Sequence, residues 1–582
     1  MRTAEEIRKK IVDVAFANGG HLASSLGAVE IAMALADVFE PEKDRIVWDV
    51  GHQAYAWKLL TGRWDSFDTL RRFGGVAPFP NPAESKADAA VAGHAGSAFS
   101  VAAGMAAARD RKGTDEHVVA VIGDGSIVNG HSFEALNNCA AATKKLIIVL
   151  NDNGMAISKP AGSFARFLGR LITGIRYNRI KAAAEAAGHR LRLTFLRGAY
   201  HMIESRVKGL FLGSRLFEGF GVRYIGPVDG HDLAALKSAF TVAKEDKRSV
   251  LVHVVTKKGM GYPPAERNPT AYHGVSPSSP GGDGRDRPRS WSDVFGDALC
   301  KAARKDRRIV ALTAGMKDGT GLAGFASEFR DRFFDVGISE GHMVGFAAGL
   351  AAGGMRPVVA VYSTFLQRAI DQVVHDVAIS SLPVVICVDR AGVVGADGVT
   401  HQGLYDIALL KSVPNLTICQ PRDADDLAAL LSEALDRNGP TVIRYPRGTA
   451  PERVAPFDAP AGARAAIWAT GDLYGRAVAV ARRVGGCEVV NARYLKPFDA
   501  ARLAAQRAAG MKVVSMENGC SAGGFGESIG ADLRFGWPDR FVPHGAPAEL
   551  ERSCGIDEDS VVKSVSGLLA RGEDGNGALM GR

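Results

Sequence analysis

HVVAVIGDG at residues 117–125 and KLIIVLNDN at 145–153 decide the fold of this chain. Each is a short run rich in β-branched residues that stops at turn-forming polar ones. His117–Ile122 ends in Gly123-Asp124-Gly125, and Lys145–Leu150 ends in Asn151-Asp152-Asn153. Phe133–Thr143, between them, has helical composition. Strand, loop, helix, strand is a βαβ unit, and parallel strands gather ligand chemistry at their carboxyl ends. Gly-Asp-Gly alone is ordinary turn chemistry. With Asn-Asp-Asn at the next strand end, 25 residues on, the two loops read as a hard-oxygen cage. Asp124, the Asn153 side chain and a backbone carbonyl near Met155 would supply half an octahedral Mg2+ shell, and a diphosphate most of the rest.

The same logic recurs downstream. Phe333–Ile338, Pro357–Val361, Val384–Val388, Leu416–Cys419 and Thr441–Ile443 read as buried strands. Each is followed by polar or glycine-rich chemistry: Ser339-Glu340-Gly341-His342, Tyr362-Ser363-Thr364, Asp389-Arg390-Ala391-Gly392, Gln420-Pro421-Arg422-Asp423 and Arg444-Tyr445-Pro446-Arg447-Gly448. Similar runs at Glu488–Asn491 and Val513–Met516 have loops poorer in titratable groups. Two Pro/Gly/Ala-rich stretches, 276–289 and 449–463, read as linkers. The expected architecture is α/β, with three doubly wound parallel-sheet domains over 1–275, 290–448 and 464–570 and a disordered tail over 571–582. The segment 161–221 is helical in composition and basic (Arg166, Arg170, Arg176, Arg179, Lys181, Arg190, Arg192), either a solvated excursion or a flap over a site.

A chain of 582 residues exceeds one ordinary core, and 46% hydrophobic with 23% charged residues describes a globular protein. The net charge of +8 sets 71 basic against 63 acidic residues without a compact Lys/Arg run, which argues against nucleic acid. Seven scattered cysteines without a C-x-x-C pair fit a reducing compartment and a cytoplasmic protein. The opening residues lack a signal-peptide core, and no stretch approaches ~20 apolar residues, so no membrane association is expected.

The Gly-Asp-Gly/Asn-Asp-Asn pair resembles the cofactor motif of the thiamine-diphosphate superfamily, whose fold is transketolase-like. The flanking text resembles the 1-deoxy-D-xylulose-5-phosphate synthase family. His21-Leu22-Ala23-Ser24-Ser25-Leu26-Gly27, Trp48 to Tyr55, Tyr224 to Asp232, Thr256-Lys257-Lys258-Gly259, Tyr362 to Arg368, Asp389 to Asp397, Thr400-His401-Gln402-Gly403 and Arg444 to Gly448 carry the likeness over nearly the whole chain. It implies a homodimer in which domain 1–275 binds diphosphate and magnesium and 290–448 binds the pyrimidine. It also implies thiamine diphosphate and Mg2+ as cofactors, pyruvate and glyceraldehyde 3-phosphate as substrates, and 1-deoxy-D-xylulose 5-phosphate and CO2 as products.

Residue by residue, the resemblance puts Glu340 against the cofactor pyrimidine. Burial would raise its pKa there, and the competing reading is a carboxylate capping a helix over Val344–Ala352. His21, His52 and His273 become the proton-handling set. His52, Gly93, His94, Ala95, Asp124, Gly125, Ser126, Asn153 and Tyr262 contact the cofactor, and Asp124, Asn153 and Met155 hold the metal. Arg368, Arg390 and Arg447 form the phosphate-binding set, with Tyr362, Asp397 and His401 beside them, because a guanidinium fork suits phosphate. Three motifs depart from the family text. Ser339-Glu340-Gly341-His342-Met343 stands where Ala-Glu-Gln-His-Ala is usual, Gly93-His94-Ala95-Gly96-Ser97 replaces Gly-His-Ser-Ser-Thr, and Gly154 occupies a common glutamate position. The alternatives are transketolase-type transfer between sugar phosphates, an α-ketoacid dehydrogenase component and a degenerate scaffold. Intact Asp124, Asn153 and Glu340 argue against the last.

Overall fold

The computed structural model describes residues 2–154, 212–277 and 288–577. Met155, most of linker 276–289 and nearly all of the basic stretch 161–221 lie outside them. The chain folds into two compact units, residues 1–71 with 75–282, and 72–74 with 283–582.

The first unit holds β1 (Arg45–Trp48), β2 (Val118–Gly123), β3 (Ile147–Asp152), β4 (Arg223–Asp229) and β5 (Val250–Val255). They form one parallel sheet in the order β1-β2-β3-β5-β4. Successive side chains on a strand point to opposite faces, and here both faces are apolar. Val119, Val121, Ile147, Val149, Val250 and Val252 enter one core, and Val118, Ala120, Ile122, Ile148, Leu150 and Leu251 enter another. Helices cover both sides, as in a doubly wound sheet. The helix Ala4–Asn18 starts at a capping box in which Thr3 and Glu6 satisfy each other's backbone N–H.

The second unit carries β6 (Ile309–Thr313), β7 (Phe333–Asp335), β8 (Arg356–Tyr362), β9 (Val385–Asp389), β10 (Thr417–Cys419), β11 (Thr441–Arg444), β12 (Ala465–Thr470), β13 (Cys487–Ala492), β14 (Tyr494–Lys496), β15 (Lys512–Cys520) and β16 (Leu533–Trp537). One sheet runs β14-β10-β11-β9-β8-β6-β7, and the other β13-β12-β15-β16. The strand β14, from the segment read as the third domain, joins the second sheet antiparallel to β10. Both sheets feed one core: Leu312, Val361, Ile386 and Ile418 pack in the same cluster as Trp468, Val490 and Val513. That shared core explains why the two sheets form one unit.

The α/β architecture with three sheets agrees with the reading of the sequence, and several boundaries move. The strand expected over Phe333–Ile338 stops at Asp335, and the next helix starts at Glu340 itself rather than Val344. Seven strands were not read, β1, β4, β5, β6, β12, β14 and β16; among them β6 is a five-residue run, and the sequence AAIWAT of β12 is too alanine-rich to signal a strand. The last helix, Glu558–Gly577, continues past Arg571, where a disordered tail was expected.

Candidate active site

In the first unit the chemistry collects at the carboxyl end of the sheet. Three histidine rings face one another, with centroid separations of 6.3 Å for His21–His52, 5.6 Å for His21–His273 and 5.7 Å for His52–His273. Backbone pairing brings distant segments together: Gly20 and Val275 exchange N–H···O bonds of 2.9 and 2.8 Å, and Ala23 N–H donates to the Tyr272 carbonyl at 2.9 Å. Ser25 Oγ donates to the His52 carbonyl at 2.9 Å. A side chain at Gly20 would meet Tyr55 Oη at 2.7 Å, so residue 20 has to be glycine for this approach. Burial drives the pKa of His52 and of His273 well below the ordinary imidazole value, with neighbouring cationic groups adding to it. The buried Nδ1 of His52 makes no hydrogen bond, and Phe79 lies 5.5 Å from His21 between ring centroids.

Asp124 opens a one-turn helix directly after β2 and is buried. Burial first, and the charge of Asp152 second, push its carboxyl up to about 7. The buried ammonium of Lys258, just past β5, is pulled down to about 8 by desolvation, while Asp124 acts in the opposite direction. A buried carboxylate with a second one beside it is the donor chemistry that fits a divalent cation. Among the described residues no group of three or more His, Cys, Asp or Glu forms a metal cage. A Mg2+ site of one carboxylate, one amide and phosphate oxygens needs no such group. Asn153 follows β3 directly, and Met155 lies outside the described residues.

The loop bearing Gly93, His94 and Ala95 is held by Asp49, whose oxygens accept from the backbone N–H groups of Gly96 (2.9 Å) and Ala98 (3.0 Å). Asn151 bridges two further strand ends, donating to Gln53 Oε1 at 2.7 Å and accepting from Thr256 Oγ1 at 2.6 Å. Tyr262 packs edge-on to Phe16 and Tyr272 over the N-terminal core. Gly125 and Ser126 lie in the turn that Asp124 opens.

In the second unit Glu340 is the first residue of the helix Glu340–Ala352, and its side chain is buried. Desolvation raises its pKa, and its Oε2 makes no hydrogen bond although Arg368 Nη1 lies 3.6 Å away. Arg368 therefore sits with Glu340, whereas sequence reasoning grouped it with the phosphate-binding arginines. At the ends of β8, β9 and β11, the Arg390 guanidinium lies 3.8 Å from the Tyr362 ring centroid. Arg447 donates to the Val394 carbonyl at 3.4 Å and lies 3.6 Å from Asp397 Oδ2. His401 Nδ1 is 3.0 Å from Thr400 Oγ1, and its ring packs on Phe365. Under this surface, Asp389 accepts from Ser292 Oγ at 2.6 Å, and burial raises its pKa to about 6. Buried Asp389 Oδ1, Ser363 Oγ and Tyr445 Oη make no hydrogen bond.

Sequence reasoning did not single out Lys258, Asp49, Gln53 and Asp389, which the structure brings to these loops. Each lies inside a motif already quoted, at or just past a strand end, and that position is the signal that could have found them.

A family model described as 1-deoxy-D-xylulose-5-phosphate synthase matches residues 1–256, one for the transketolase pyrimidine binding domain matches 287–452, and one for the transketolase C-terminal domain matches 455–561. The chain is 44% identical over 604 residues to 1-deoxy-D-xylulose-5-phosphate synthase 2 of Geobacter sulfurreducens, covering 98% of this chain and 96% of that one. It is 45% identical over 615 residues to the synthase of Syntrophotalea carbinolica, covering 99% and 96%. A solved transketolase from Leishmania mexicana aligns over 98% of both chains at 19% identity, with a TM-score of 0.45.

Proposed function

Since this chain belongs to the 1-deoxy-D-xylulose-5-phosphate synthase family, we propose specific roles for its residues in that reaction. The enzyme is a transferase that depends on thiamine diphosphate and Mg2+. It converts pyruvate and glyceraldehyde 3-phosphate to 1-deoxy-D-xylulose 5-phosphate and CO2 for isoprenoid synthesis. Bound thiamine diphosphate supplies the electron sink for decarboxylation, and the protein binds, orients and manages protons.

Asp124 and Asn153 hold the metal, with the carbonyl of Met155, and the Asp124-Gly125-Ser126 turn and the Gly93-His94-Ala95 loop border the diphosphate. The buried Oε2 of Glu340, which makes no hydrogen bond, suits a partner bearing a ring nitrogen, because a raised pKa lets this oxygen hold a proton for that nitrogen. Neutral His52 and His273 can each take up or release a proton at a ring nitrogen, and His21 completes the set. Tyr262 backs the cofactor side. Arg390 and Arg447 receive the acceptor phosphate, with Tyr362, Asp397 and His401 ordering them, and Arg368 tunes Glu340.

The observation that carries the synthase reading over transketolase-type transfer is the Arg390–Tyr362 stack with the Arg447–Asp397 pair, set at the strand ends carrying the family text. The substrates are small molecules. Among the described residues no helix is long and apolar enough to cross a membrane. All seven cysteines are free, which supports a reducing, cytoplasmic setting, and we assign a homodimer without nucleic-acid or membrane partners. Protein given Mg2+, thiamine diphosphate, pyruvate and glyceraldehyde 3-phosphate is expected to yield 1-deoxy-D-xylulose 5-phosphate by mass spectrometry, and Glu340→Ala to abolish it. Turnover of a ketose phosphate donor in place of pyruvate would overturn the assignment.

A further inference from the structure

A line of hydrogen bonds crosses the first sheet beneath the metal loop. Tyr224, on the edge strand β4, has its hydroxyl 2.7 Å from His253 Nδ1. His253, fully buried on β5, has Nε2 3.0 Å from Asp152 Oδ2. Asp152 ends β3, and its other oxygen, Oδ1, accepts from the Gly154 backbone N–H at 3.0 Å. A carboxylate only accepts, so Nε2 carries the imidazole proton and Nδ1 accepts from the tyrosine hydroxyl. Each donor in the line is then satisfied. Phe217 stacks on Tyr224 at a centroid distance of 6.0 Å and fixes the outer end.

Asn153 sits between the two ends of the last bond. Gly154 is in the left-handed region at φ +67°, and nothing lies within 4 Å of where its Cβ would be. No side chain at 154 braces the turn in this chain, so the Asp152 contact shapes it. Groups that orient metal ligands from behind commonly set metal affinity.

We infer that Tyr224 and His253 are positioning residues that hold the Asp152 carboxylate and, through the Gly154 N–H, the Asn153 loop in the shape that receives the metal diphosphate. This rests on the reading of Asp124 and Asn153 as the metal-holding pair. Mg2+ demands near-ideal octahedral geometry, whereas Ca2+ accepts loose shells. A loosened loop therefore loses Mg2+ more than Ca2+, and a generally weakened fold loses both alike.

The test titrates the full-length apo protein by calorimetry with Mg2+, and separately with Ca2+, each at saturating thiamine diphosphate. His253→Leu is expected to raise the Mg2+ Kd about 10- to 100-fold and the Ca2+ Kd by clearly less. Tyr224→Phe is expected to raise the Mg2+ Kd by a smaller factor in the same sense. His253→Gln, which can still donate to Asp152, is expected to recover part of the loss. Circular dichroism checks that each variant folds. Unchanged Mg2+ binding in folded His253→Leu and Tyr224→Phe, or an equal loss of both cations, overturns the relay. Unchanged Mg2+ binding in Asp124→Asn overturns the underlying site assignment, and the relay with it.

Discussion

Gly319 offers a sharp test of the acceptor side. A methyl group there would lie 1.7 Å from Tyr362 Oη and 2.9 Å from its Cζ. Both are far inside van der Waals contact, so in Gly319→Ala the ring has to swing away. Arg390 stacks on that ring at 3.8 Å from its centroid and loses its platform. A cation–π contact is worth about 0.5–2 kcal/mol, which converts to roughly a 2- to 30-fold rise in the KM for glyceraldehyde 3-phosphate. Steady-state kinetics with each substrate varied at saturation of the other reads this directly, and the pyruvate KM should stay within about twofold. Removing the hydroxyl in the double variant with Tyr362→Phe relieves the shorter clash, and the cycle should show partial rescue. An acceptor KM that does not move, or a pyruvate KM that rises equally, would refute the reasoning.

Three further outcomes are expected. Asp389 has its folded pKa raised from 3.8 to about 6, so the stability it contributes is complete below pH 3.8 and lost as pH rises toward 6, by about 3 kcal/mol at most. The melting temperature of Asp389→Asn relative to the parent should therefore climb across that window, and a flat difference would sink the assignment. Arg444 is fully buried and bonds Asp406 at 2.9 and 3.2 Å and the Asn518 carbonyl at 2.8 Å. Arg444→Met should cost about 3–5 kcal/mol in urea unfolding by stranding the Asp406 charge, and Asp406→Asn in the same chain should restore part of it. Stripping divalent ions with a chelator should abolish thiamine diphosphate binding in a filtration assay and excess Mg2+ should restore it, whereas cofactor retained without metal would contradict the Asp124 cage.

Much of this was legible because local rules and global fold agree. The runs 117–122 and 145–150 are almost wholly apolar once past their first residue, which only a sheet covered on both faces tolerates, and their abrupt polar endings mark the ligand side. What stayed hidden depends on contacts distant in sequence. Nothing near Arg368 announces Glu340 as its neighbour, and nothing near Tyr224 announces His253 and Asp152. The start of the helix at Glu340 was misplaced because Gly341 and His342 are poor helix formers, and tertiary packing of Met343 and Val344 overrides them. The strand β12 was lost because alanine carries little strand signal, although burial holds it central.

The pairing of β14 with β10 makes residues 449–463 a connection and not a seam. A chain cut there would strip the second sheet of its outermost strand and expose the unpaired backbone edge of β10. It would also open the core shared by Ile418, Trp468 and Val513. Neither fragment would then be a self-sufficient module for recombination or domain exchange, so changes of composition along this half of the chain have to be made on both sheets together.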